Sequence, residues 1–161
     1  MGISIQGGNT VRFSIQFTHQ GDAYNTGKVR VVIGKDRGSF DEMVAKVHDL
    51  GAIEAHVEAT VVTKTFDLPI PSDIVSIWTG PPSNYSLTDK ADAYVKIYDV
   101  PGYSEASPLL AYSDRGIITI LEGQAPDPDP DPDAKEEGGM TTPLLIGGAA
   151  LLGLMIVSGK K

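Results

Sequence analysis

The chain has 161 residues, with 13 Lys and Arg against 21 Asp and Glu, a net charge of −8 and no cysteine. Disulfide frameworks, thiol nucleophiles and Cys-ligated zinc are therefore excluded, and an isoelectric point near 4.7 argues against nucleic acid as a partner. The charge is uneven: residues 1–122 net −5, residues 123–142 net −5, and the rest carries only Lys160 and Lys161. Three compositionally separate parts follow, a domain over 1–122, an acidic linker over 123–142 and an apolar tail over 143–159 with a Lys160-Lys161 end.

A short edge strand is expected over residues 3–6. In residues 10–18, Val11, Phe13, Ile15 and Phe17 alternate with Arg12, Ser14, Gln16 and Thr18, the pattern of a half-buried strand. Residues 28–33 repeat it with Val29, Val31 and Ile33, and the Gly21-Asp22 and Asn25-Thr26-Gly27 turn residues between the two predict a hairpin. Ser39-Phe40-Asp41-Glu42 reads as a capping box, with Phe40, Val44 and Val47 on one helical face and Gly51 as a stop, so one short helix is expected there.

A long β-branched run covers residues 53–68, with Ile53, Ala55, Val57, Ala59 and Val61 expected inward and Glu54, His56, Glu58 and Thr60 outward. Strands over 74–78, 91–98 and 116–121 complete a set of seven, separated by Pro- and Gly-rich turns. Trp78 is a candidate core residue. Seven short alternating strands over residues 2–122 resemble, in pattern, an antiparallel β-sandwich of immunoglobulin or fibronectin type III kind, with no Cys pair of a true immunoglobulin domain. On such a scaffold Tyr85, Tyr103 and Tyr112 fall in loops and are candidate interaction residues, for a protein or a glycan.

Chemistry-bearing constellations are sparse. Glu54, His56 and Glu58 share one strand face, with His48 and Asp49 upstream, and could hold a divalent ion, but the same alternation makes them a solvated face. His19 stands alone in a turn. No Gly-x-Ser-x-Gly elbow precedes a helix, and Gly34-Lys35-Asp36-Arg37-Gly38-Ser39 lacks the spacing of a phosphate loop. No catalytic group, cofactor or metal is expected.

Behind the domain, four consecutive Pro-Asp units over residues 126–133 exclude helix and central strand alike. They predict a polyproline II rod of about 25 Å, stiffened by aspartate repulsion. Thr141 to Gly159 then gives 19 residues without a charge. As a helix this stretch is about 28 Å long, a match to the hydrocarbon core of a bilayer. Leu144, Leu145, Ile146, Leu151, Leu152, Leu154, Met155, Ile156 and Val157 would face lipid, and Gly147, Gly148, Ala149 and Gly153 would allow close helix packing. Burial of the same segment in a protein assembly is the alternative. The first six residues lack the basic and apolar regions of a secretory signal, so the tail is expected to insert after synthesis. Taken together, the sequence predicts a non-enzymatic, single-pass, membrane-anchored structural or interaction protein, in its most specific form a virion protein tethering a sandwich to a membrane. Its partners would be a bilayer and protein neighbours. A cell-surface adhesion or carbohydrate-binding module is the second reading, and a metal-dependent enzyme the third.

Overall fold

The computed structural model describes residues 2–35 and 41–122, together with the backbone of 144–147 and 153–159. The strands of the first part are β1 (Ile3–Gln6), β2 (Thr10–Gly21), β3 (Lys28–Gly34), β4 (Glu42–Asp49), β5 (His56–Pro69), β6 (Lys90–Tyr98), β7 (Leu109–Tyr112) and β8 (Ile118–Leu121), with one helix, α1 (Ile74–Thr79). One sheet runs in the order β1-β8-β6-β3-β4, with β7 also on β6, and β2 pairs with β5 in a second. The architecture is mainly β with one short helix, in a sandwich-like arrangement. β1 lies parallel to β8, and the other pairs in these two sheets are antiparallel.

Alternation explains the core. Val11, Phe13, Ile15 and Phe17 of β2 face inward and are buried, as are Val29, Val31 and Ile33 of β3 and Ala91, Ala93, Val95 and Ile97 of β6. Their outward neighbours pair across the strands. Arg12 lies opposite Asp67 and binds it through two hydrogen bonds of 2.8 and 3.0 Å, and Lys28 lies opposite Asp49 and pairs with it. These pairs are exposed and contribute little to stability; what they match is the register. Ser113, buried between β7 and β8, extends the pairing along β6: its N–H donates to the Ala93 carbonyl at 2.8 Å and its hydroxyl accepts the Ala93 N–H at 3.0 Å. Ser113→Ala orphans that N–H and is expected to cost about 1–2 kcal/mol, read as a shift of the urea midpoint.

Three expectations are corrected. The helix expected from residue 39 is strand β4, paired with β3 from Lys28↔Asp49 to Gly34↔Glu42. Pairing along β3 supplies every second residue with a ladder bond, which a capping box over a Val-rich segment does not outweigh. Conversely, the strand expected over 74–78 is α1. Ile74 and Trp78, four residues apart, are both fully buried while Ser76 between them is exposed, the burial pattern of a helix face. In β5 the faces are reversed. Phe66 and Leu68 are buried and the even-numbered positions other than Glu58 are the covered ones, leaving Val57 and Val61 outside at 93% and 61% exposure. Ile53, which suggested the opposite phase, precedes the strand and pairs separately with Tyr24, so its inward position does not propagate.

Backbone alone is described for β9 (Leu144–Gly147) and β10 (Gly153–Gly159), an antiparallel pair in which β10 runs along β2 from Thr10 to Gln16. The expected linker over 123–142 lies outside the described residues, as do positions 143 and 148–152 of the expected apolar helix. Among the described residues no helix is long and apolar enough to cross a membrane.

Candidate functional site

The end of β2 and the β2–β3 connection face the end of β6, the loop after it and the start of β7. Between them lies a cleft of about 670 Å³. Phe17, Ile97, Val100, Pro101 and Leu109 give it an apolar floor, Tyr24 and Tyr103 line it, and Thr18, His19, Gln20 and Asp22 supply a polar strip. Volume and lining are those of a site for a small ligand or an inserted side chain.

Local sequence explains the polar strip. The core-facing series of β2 is Val11, Phe13, Ile15, Phe17, and its next member is His19, which shares the cleft with Ile97 of β6 and Leu109 of β7. A bulge between His19 and Gly21 shifts the register, so that His19 lies opposite Thr60 while Gly21 lies opposite His56. The surplus residues lie on β5, where Val57, Glu58 and Ala59 face Gln20 alone, and Gln20 donates its side-chain amide to the Val57 carbonyl at 2.9 Å. The shift brings the imidazoles of His19 and His56 together, Nδ1 to Nδ1 at 3.1 Å. One ring donates and the other accepts. Tyr24 stands edge-on to His19 with ring centres 5.2 Å apart, and burial pushes its phenol above the usual range. The Thr18 hydroxyl oxygen is buried with no hydrogen-bond partner among the described residues.

The candidate residues read from sequence are dispersed. Of the three tyrosines, Tyr103 lines the cleft and is 41% exposed. Tyr85 instead packs on Trp78 with ring centres 4.9 Å apart and donates to Asp41, and Tyr112 lies in β7 beside Tyr94. Glu54 precedes β5, while Glu58 points to solvent and His56 turns to His19. Among the described residues no group of three or more His, Asp or Glu is placed to hold a metal. The lining and packing candidates of the tail, Leu144 to Val157, carry no described side-chain positions. The His19–His56 pair was hidden from sequence reading because it needs both the reversed face of β5 and the bulge; the one available signal was that His19 continues the inward series of β2. Compared with known proteins, the chain matches no family model and no curated protein.

Proposed function

We propose that this protein is a non-enzymatic, membrane-anchored interaction module, and in its most specific form a virion protein that holds a β-sandwich off a membrane and against protein neighbours. The observation that carries the proposal is the run of 19 uncharged residues from Thr141 to Gly159, set behind a Pro-Asp spacer and closed by two lysines. In this reading the tail crosses the bilayer as a single helix, and the extended pairing of β10 with β2 is a lipid-free resting place for the same apolar segment. An immunoglobulin-type arrangement is supported by strand order: β2 and β5 take the places of B and E, β3, β6 and β8 those of C, F and G, and β4 that of C′. The cleft then lies where the B–C and F–G loops meet, the end that variable domains use for recognition.

Flotation through a lipid gradient tests the anchor. The full chain is expected to rise with vesicles, and a chain ending at residue 140 is expected to stay at the bottom; equal behaviour of the two overturns it. Tyr24 and Tyr103 in one cleft favour a second reading, a carbohydrate-binding module, because aromatic rings beside polar groups suit a sugar's apolar and hydroxyl faces. A glycan array probed with the full chain separates the readings.

A further inference from the structure

We propose that His19 and His56 form a binding site for one borderline divalent transition-metal ion, zinc being the reference case. Both side chains belong to the inward series of their strands and are half-buried, and His19 lines the cleft. The bulge in β5, where Val57, Glu58 and Ala59 face the single residue Gln20, aligns them, and bulges are the usual means by which a sheet re-aims a side chain. With Zn–N bonds of about 2.0–2.1 Å, nitrogens 3.1 Å apart subtend about 100° at the ion, between the square-planar and tetrahedral angles.

The rings meet tip to tip, with centres 5.4 Å apart. Chelation swings each ring by about 40° towards an ion off that line and brings the centres to about 4.8 Å for these bond lengths. No proton need be lost from the neutral pair: the Nδ1 proton of the donating ring moves to its own Nε2 through solvent, leaving both Nδ1 lone pairs for the metal. Asp22 lines the same cleft, and Glu54 and Glu58 flank His56 in the chain, so the local charge favours a cation. With no third His, Asp or Glu in place among the described residues, the remaining coordination positions are open to water or to a donor brought by a partner.

Calorimetric titration of the full-length protein with zinc chloride tests the site. The expected result is one zinc per chain, unaffected by excess magnesium, with affinity lowered about tenfold or more in both His19→Gln and His56→Gln. Both variants should keep the parent's Trp78 emission, which shows that they are folded. Ring proton resonances of His19 and His56 should shift on zinc addition while those of His48 stay put. Absence of uptake overturns the proposal. So does uptake that either variant retains in full, which would place the ion elsewhere, for example on the aspartates of 127–133.

Discussion

Replacing Trp78 with alanine is expected to remove about 3–5 kcal/mol of stability, a large fraction of what holds an ordinary domain folded. The indole is fully buried at the end of α1, against Tyr85, and its Nε1–H donates to the Ser86 carbonyl at 3.0 Å. Truncation therefore opens a large cavity and strips a carbonyl of its partner at once. Trp78→Phe separates the two effects: it fills most of the space and loses the hydrogen bond, for an expected loss of about 1–3 kcal/mol. Circular dichroism in a urea titration measures both. Equal stability of Trp78→Ala and the parent would mean that α1 contributes nothing to the core.

Glu42 carries the second large effect. Arg30 and Lys96 lie directly opposite each other on β3 and β6, an unfavourable juxtaposition of like charges. Glu42 reaches both: the Arg30 guanidinium donates to Oε2 at 2.8 Å and Lys96 Nζ to Oε1 at 2.7 Å. Its side chain is only 20% exposed. Burial by itself pushes the Glu42 carboxyl upward, but the two cationic donors outweigh it and hold the group below its ordinary value. Glu42→Ala leaves two cations facing each other and is expected to cost about 2–3 kcal/mol at neutral pH. Because the folded value is depressed, the contribution is complete above the unfolded carboxylate value and fades as pH falls through the folded one. Parent and variant should therefore converge in acid. A stability difference that stays constant from neutral pH into acid would show that Glu42 acts through packing alone.

Strands in which one face is apolar along the whole length were legible from sequence. In β2 and β3 a period of two is set by Val, Ile and Phe, and every residue of that apolar series is buried, with Ser14, Val32 and Gly34 buried on the other face as well. Where the apolar residues fit two periods at once, neighbours decided. Val44 and Val47 suit a helix face, yet β3 offered an unpaired edge, and β4 took it. Ile74 and Val75 suit a strand, but Pro69 and Pro71 isolate them from any ladder, and the segment closes on itself as α1. The cleft was illegible for a different reason. Its walls come from residues 17–24 and 97–109, and only the packing of one sheet over the other brings them together.

The outward turn of Val57 and Val61 has a bearing on how copies of this protein coexist in solution. β5 is the outermost strand of its sheet, fourteen residues long, and its exposed face is β-branched at one end. A flat apolar edge of that length is a template for strand-by-strand accretion. Here Glu58 lies between the two valines in the chain, Lys64 and Asp67 follow along the strand on its two faces, and Pro69 closes it. Charges along the strand and a terminal proline are the features that oppose edge-on growth of such a ribbon.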